Sequence, residues 1–302
     1  PVRSTPSDGP AACPAMTPRT ALVQFSTGVG SAFVAHLAVE NHGVDNVVLM
    51  TADTLVEDDD NWRFADEVWR ALGQPLWVKL TVGKDPMQIG RDARCVPNNR
   101  MAVCSRMLKR DPIRTYMDNG FDVESSVVQL GFDWTEEHRL IKARPHWEPW
   151  EVECPLMDTS ITKAGMLEWF NDREIKTPRL YDYGFSHANC GGGCVRGGHA
   201  QWRLLLETFP DRYAWWENEE AKTRDLLGKD VTILRDRRGG TSKPLTLRDF
   251  RLRVTADRSD CDGDDWGACG CFMDEAEIPV VPAEASRVDV MTSSGWTLVE
   301  SL

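Results

Sequence analysis

Between residues 20 and 53 the chain reads TALVQFSTGVGSAFVAHLAVENHGVDNVVLMTAD, and this run most narrows the folds open to it. TALVQF (20–25) is a short apolar run suited to a buried strand. SAFVAHLAVENHG has helical spacing and is closed by Gly43, and NVVLMTAD is a second buried strand with an acid at its carboxyl end. Strand, helix and strand in that order make a β-α-β unit, whose parallel strands end on the same side of one sheet. The alternation continues. NWRFADEVWRALG reads as a helix, PLWVKLTV as a strand, MAVCSRMLKRDPIRTYM as a helix interrupted or entered near Pro112, and SSVVQLGFDW as another strand. The pattern predicts an α/β fold: a Rossmann-like, mostly parallel sheet flanked by helices, with its binding crevice outside the carboxyl ends of the strands.

A chain of 302 residues with 41% hydrophobic composition can bury the core such a sheet needs. Its 47 acidic against 35 basic residues give a net charge of -12, which argues against a broad, sequence-independent grip on nucleic-acid phosphates. A local basic pocket is compatible with that balance. No apolar run approaches the roughly 20 residues that cross a bilayer, so no membrane partner is expected, and the chain reads as cytoplasmic. Residues 1–18 read as a disordered extension, of which the first fifteen, rich in Pro, Ala and Ser, precede a native start at Met16 or are a start-site artefact.

The turn after the first strand sets Ser26, Thr27, Gly28, Val29, Gly30 and Ser31 at a helix N-terminus. Free N–H groups, hydroxyls and the positive end of the helix dipole converge there, so a phosphate or pyrophosphate is the natural occupant. The turn is not a Walker loop, since no Gly-Lys-Ser/Thr follows, and it lacks the third glycine of G-x-G-x-x-G. The competing explanation is a small-residue turn needed only for tight helix–sheet packing.

Five segments, in order, carry a family resemblance. The turn resembles a variant of the S-G-G-x-D-S loop of PP-loop ATP pyrophosphatases, and still more the altered loop of phosphoadenosine phosphosulfate (PAPS) reductases. MTADT resembles the acidic motif of the second strand in that superfamily, and VCSRMLKRDPI resembles the C-C-x-x-R-K-x-x-P-L segment of sulfonucleotide reductases. LGFDWTEEHR resembles their G-x-R-x-x-E-x-x-R loop, and PRLYDYGFSHANCGGGC their L-x-x-x-G-Y-x-x-x-G-C-x-x-C segment. The resemblance spans about residues 20 to 273. It implies an adenine-nucleotide alpha-hydrolase-like domain over 19–180, a cysteine-containing helical and loop lobe over 181–274 completing the site, and a tail over 275–302. The departures are specific: Thr27 stands at a usual glycine, Gly30 at the usual aspartate, Ser105 at the second of two adjacent cysteines, and the later pair is C-x-x-x-C.

For individual residues the resemblance implies roles that simple chemistry supports. Asp53, ending a strand, suits a ribose hydroxyl or a nucleotide-bound Mg²⁺, or else a turn. Arg106, Lys109 and Arg110 suit phosphate or sulfate, or a solvated basic helix face. Arg139 is the preferred ligand of its acidic loop, whose run of acids otherwise reads as surface. Lys109 and Arg139 are thus expected at the reaction centre. A second basic cluster, Arg235, Arg237, Arg238 and Lys243, suits either a loop closing over phosphate or a charged surface turn.

Nine cysteines in a long chain of this type point to metal or redox roles rather than a disulfide framework. Cys190 and Cys194 flank a glycine run, and Cys269 and Cys271 stand two apart beyond Trp266, so the two pairs provide four thiolates for tetrahedral Zn²⁺ or for an iron–sulfur cluster. The resemblance adds Cys104 as a cluster ligand. A four-iron cluster then takes Cys104, Cys190, Cys194 and one of Cys269 or Cys271, leaving the other thiol, Cys271 for example, as a nucleophile. His187 and His199 flank the pair as alternative ligands, while Cys13, Cys95, Cys154 and Cys261 read as ordinary thiols.

Three functions follow. The first is an enzyme binding ATP or an adenosine phosphosulfate on the Ser/Gly loop and doing sulfur-transfer or redox chemistry with a cysteine-bound metal centre. The second is a true sulfonucleotide reductase using a C-terminal cysteine and an external thiol reductant. The third is a non-catalytic, metal-stapled nucleotide-binding module. The acceptor substrate is open between a small metabolite and a nucleic-acid base.

Overall fold

The computed structural model describes residues 19–257, 265–267 and 283–299. Its first three elements are the unit the sequence predicts: β1 (Thr20–Gln24), α1 (Val29–His42) and β2 (Val47–Asp53). The strands pair in parallel, with Gln24 opposite Met50, so the turn after β1 and Asp53 at the end of β2 share one sheet edge. α1 is apolar on most of its circumference because it is sandwiched between sheet and helix. It stops at Gly43, whose φ of 80° lies in the left-handed region that favours glycine.

The chain continues through α2 (Asp59–Ala71), β3 (Leu76–Thr81), α3 (Pro86–Asp92), a six-residue π-helix (Ser105–Arg110) running into α4 (Asp111–Gly120), and β4 (Ser126–Gln129). After α5 (Glu137–Ala143) and the short β5 (Val152–Glu153) come α6 (Lys163–Asn171), α7 (Arg179–Asp182), α8 (His199–Thr208), α9 (Pro210–Leu227), the β6 (Leu234–Asp236) and β7 (Lys243–Leu245) hairpin, and α10 (Leu247–Ala256). The last described stretch forms β8 (Arg287–Thr292) and β9 (Gly295–Leu298).

The main sheet has the order β5-β4-β1-β2-β3-β8-β9. Its first five strands are parallel, and β8 and β9 extend it antiparallel beyond β3. A hairpin therefore closes the edge of β3. Trp296 packs 4.7 Å from the buried Trp77, and Lys79 lies 4.5 Å above the Trp296 ring. Alternation along β1 divides the interior. Ala21, Val23 and Phe25 face a core with Phe33, Phe64 and Phe170, while Leu22 faces Ile113, Met117 and Trp147. Each large side chain taken fully from water contributes about 1.5–3 kcal/mol, which is why near-continuous apolar strands settle in the middle of such a sheet.

A third core joins α3 and the π-helix to α8, α9 and α10, with Met87, Leu108, Trp202, Trp216 and Phe250 packed together. Residues 180–254 thus share their interior with residues 87–108, and the described residues show no separate cysteine-rich lobe. The run from Trp202 to Leu227 breaks between α8 and α9 at Phe209 and Pro210, because proline has no N–H to continue the ladder and holds the preceding residue extended. Among the described residues no helix is long and apolar enough to cross a membrane.

Candidate functional site

β1 has β2 on one side and β4 on the other, so the chain leaves it in one direction and returns on the opposite flank. The turns after β1 and β4 diverge at this topological switch point, where open α/β sheets form their binding crevice. A cavity of about 250 Å³ lies there. It is walled by Ser26, Gly28 to Ser31, the segment from Gly131 to Arg139, and residues from α6, α7 and the Ser186–Asn189 stretch.

The turn is internally braced. Ser31 Oγ accepts from Ser26 N at 3.1 Å and donates to Gly28 O at 3.0 Å, so this hydroxyl staples the turn. Thr51 Oγ1 donates to Phe25 O at 2.7 Å and receives Trp77 Nε1 at 2.9 Å, fixing the end of β1. Thr27 is held at a φ of 62°, strained for a β-branched residue, and its buried hydroxyl has no hydrogen-bond partner. Val29 N, at the start of α1, donates to Tyr181 Oη at 3.4 Å.

Packing does not demand a glycine at position 30, where a Cβ would meet only Gly131 O at 3.7 Å and Leu156 Cδ1 at 4.0 Å. Gly28 has an ordinary φ of -98°, but its Cβ would lie 3.2 Å from Tyr181 Oη, a tight contact that the tyrosine side chain must relieve. Gly131 is tight against backbone, since its Cβ would lie 3.3 Å from Ser31 N. The tight-packing explanation therefore holds for the β4 turn and in part for Gly28, and not for Gly30.

The other expected residues fall in different places. Arg139 is buried, lies 4.3 Å over the Phe132 ring, pairs with Glu136 and faces the cavity. Asp133 caps its turn by accepting from Thr135 N at 2.8 Å. Asp53 likewise serves a turn, its carboxylate accepting from Leu55 N at 2.9 Å. Arg106 pairs with Asp111 at 3.3 Å and does not line the cavity. Burial pushes the Asp111 carboxyl above its ordinary range, against the pull of Arg106 and Arg110. In the other basic cluster Arg235 binds Ser242, Arg238 pairs with Asp236 and Arg237 reaches Asp265, so the β6–β7 hairpin is a charged surface turn.

Lys109 stands deeper, 3.7 Å from Glu57, where it lines two smaller cavities. One lies beneath the turn with Gln24, Thr27 and Trp62, and the other holds Cys104, Cys190 and Cys194 beside Trp216. Gln24 and Ser26 are common to the first two cavities and Lys109 to the last two, so a line of polar groups runs from the Ser/Gly turn to the three thiols. Lys109 is carried by the π-helix, and π-helical turns are frequent at functional sites.

An acidic run anchors the cysteine segment. Glu57 accepts from Cys190 N at 2.6 Å and from Thr54 Oγ1 at 3.0 Å. Asn61 Nδ2 donates to Ala188 O at 2.8 Å, and Arg212, paired with Asp58 at 2.9 Å, donates to Gly191 O at 2.5 Å. Cys190 and Cys194 are hydrogen-bonded to each other. That bond and burial hold the Cys190 thiol well above its ordinary value, with Lys109 acting the other way. Cys269 and Cys271 lie outside the described residues, as do Cys13 and Cys261. Among the described residues no group of three or more His, Cys, Asp or Glu side chains forms a metal site. Of the flanking histidines, His187 lines the large cavity, and His199 bonds Arg235 O at 3.0 Å against the Phe250 ring. Cys95 and Cys154 are packed in the core, where burial pushes each thiol up to about 11.

Sequence reasoning passed over Gln24, Glu57, Lys163 and Tyr181. Gln24 was readable as a polar residue ending an apolar strand. Lys163 and Tyr181 reach the cavity only through α6 and α7, which no local signal connects to the turn.

No protein-family model and no curated protein matches the chain. Among solved structures it is distantly similar to an NMN synthetase from Francisella tularensis, with 13% identity over 52% of this chain and 62% of that one and a TM-score of 0.37. It is also distantly similar to an NH3-dependent NAD synthetase from Campylobacter jejuni, with 13% identity over 69% and 83% of the two chains and a TM-score of 0.34. The chain thus spans less than two thirds of the first of these proteins. Neither is a sulfonucleotide reductase, and likeness at this level assigns no residue a role.

Proposed function

We propose that the chain is an adenine-nucleotide-dependent enzyme that holds the phosphate groups of ATP or an adenosine phosphosulfate on the Ser26–Ser31 turn. The observation that carries this reading is a small-residue turn whose Gly30 packing does not require, opening onto a 250 Å³ cavity at the switch point. Amides at the start of α1 attract the anion, Lys163 and Arg139 add positive charge at the wall, and Tyr181 offers a hydroxyl.

The chemistry beyond binding belongs to the thiols. Cys104 comes from the lead-in to the π-helix and Cys190 and Cys194 from the glycine loop, yet all three face one small cavity next to Lys109. Thiolates around a metal would replace the hydrogen bond between Cys190 and Cys194, and Lys109 would offset part of their negative charge. Cys104, Cys190 and Cys194, with Cys269 or Cys271, would hold an iron–sulfur cluster or Zn²⁺. An iron–sulfur cluster would supply electrons for redox or sulfur transfer, whereas zinc would tie the loop in place. With the cluster in place, Lys109 would stand between substrate and sulfur, positioned by Glu57.

Calorimetry with ATP and with adenosine 5′-phosphosulfate tests the first half: wild-type protein binds at least one, and Gly30→Val stays folded but gives no heat. Metal analysis after anaerobic purification tests the second half. Bound iron or zinc that is lost in Cys194→Ser supports it, and a metal-free wild type refutes it.

A further inference from the structure

The small cavity beneath the turn is bordered by two residues that each carry a buried polar atom without a hydrogen-bond partner. Gln24 is 2% exposed, and its side-chain Oε1 has no hydrogen-bond partner, while its Nε2 reaches only Met117 Sδ at 4.0 Å. Thr27 is 1% exposed, and its Oγ1 also lacks a partner. Both residues border a space of about 10 Å³, room for one water-sized group, and Gln24 also lines the large cavity next door. A buried acceptor without a donor is destabilising, and Thr27 adds backbone strain at its φ of 62°. Costs of this kind concentrate where a ligand offsets them.

Gln24 sits two residues before the anion turn. A donor reaching its Oε1 is therefore attached close to the bound phosphate. We propose that Gln24 and Thr27 form a subsite for a sugar hydroxyl, so that the turn selects a nucleoside phosphate over a bare phosphate anion. The ligand's hydroxyl donates to Gln24 Oε1 and accepts from Thr27 Oγ1, and the phosphate rests on the amides of α1. The proposal rests on the reading of the turn as a phosphate site, which inorganic pyrophosphate tests separately because it has no sugar.

The experiment is calorimetric titration of wild-type protein and Gln24→Met with inorganic pyrophosphate, AMP and 2′,3′-dideoxy-AMP. Methionine keeps the volume of the side chain beside Met117 and removes the acceptor. The expected result is a loss of about tenfold in AMP affinity in Gln24→Met, with pyrophosphate affinity held within about twofold. On unaltered protein, dideoxy-AMP loses the same factor, and the two losses do not add when variant and analogue are combined. Equal affinity of wild-type protein for AMP and dideoxy-AMP overturns the proposal and leaves the subsite to water. Losses that add, or a parallel fall in pyrophosphate binding, overturn it as well. Absence of pyrophosphate binding to wild-type protein removes the phosphate site itself.

Discussion

Replacing Gly30 by alanine separates ligand binding from packing. The new methyl would meet Gly131 O at 3.7 Å and Leu156 Cδ1 at 4.0 Å, both ordinary contact distances, and Gly30 is helical, so no left-handed backbone is disturbed. Glycine inside a helix costs roughly 0.5–1 kcal/mol relative to alanine, which makes Gly30→Ala neutral or slightly stabilising. For a chain of this length such a gain raises Tm by about 1–3 °C. On the proposed function, the same methyl would take space at the cavity wall that a phosphate needs in order to approach the amides of α1. One charge-assisted hydrogen bond lost is worth about 1.5–3 kcal/mol, or roughly 10- to 150-fold in Kd. Thermal unfolding and pyrophosphate titration on the same preparation read both quantities. A Gly30→Ala protein that binds as tightly as wild type would show that the turn is a packing device after all, and a fall in Tm of several degrees would show that the contacts are tighter than these distances imply.

Two further outcomes follow from the interior. In Gly193→Ala the added Cβ would lie 2.0 Å from Trp216 Nε1, too close to be relieved without moving a fully buried indole, so urea unfolding should show a loss of about 1–3 kcal/mol, and an unchanged midpoint would refute the close approach. Burial raises the Glu220 carboxyl to about 7 from its ordinary 4.5, despite bonds from Ile233 N and Leu247 N, so the folded state keeps a proton the unfolded chain has lost. That stabilisation is complete below pH 4.5 and disappears as pH rises through 7. Stability should therefore fall by about 3 kcal/mol across that window from this group, and Glu220→Gln should remove that part of the slope in urea titrations; an unaltered slope would exclude Glu220 as its source.

The parts of the fold legible in the sequence are those set by local spacing. β1, α1 and β2 follow from apolar period and a closing glycine, and their parallel pairing follows from chirality. The β8–β9 hairpin was not legible, because its place beside β3 depends on pairing Val290 with Val78 across more than two hundred residues. The same distinction divides the site. Ser26 to Ser31 could be read because a strand, a small-residue turn and a helix are contiguous. Glu57 could not, because an acid in the run VEDDD reads as solvated until the fold brings Cys190 N and Lys109 to it. Asp53 shows the converse: its position at the strand end was readable, yet its carboxylate is occupied by the next turn.

The glycine run between Cys190 and Cys194 changes meaning once the packing is known. In sequence it resembles a loop whose freedom serves a metal. In the structure Gly191 has a φ of 57° and its Cβ would meet Val56 O at 2.7 Å, a Cβ on Gly192 would meet the Phe185 ring at 2.7 Å, and Gly193 lies against Trp216. Close packing on three sides therefore accounts for three consecutive glycines without any ion, and their presence between two cysteines stops counting towards a metal centre. What takes its place is non-local. Cys104 is brought to the same cavity from a different element, Trp216 and Val195 line it, and Lys109 also borders the space under the Ser/Gly turn. No spacing rule predicts that meeting. The three thiols border Lys109, the buried lysine that among the described residues also borders the Ser/Gly turn. Loss of metal in Cys104→Ser, with the glycine run untouched, is thus a stronger test of the centre than any substitution inside that run.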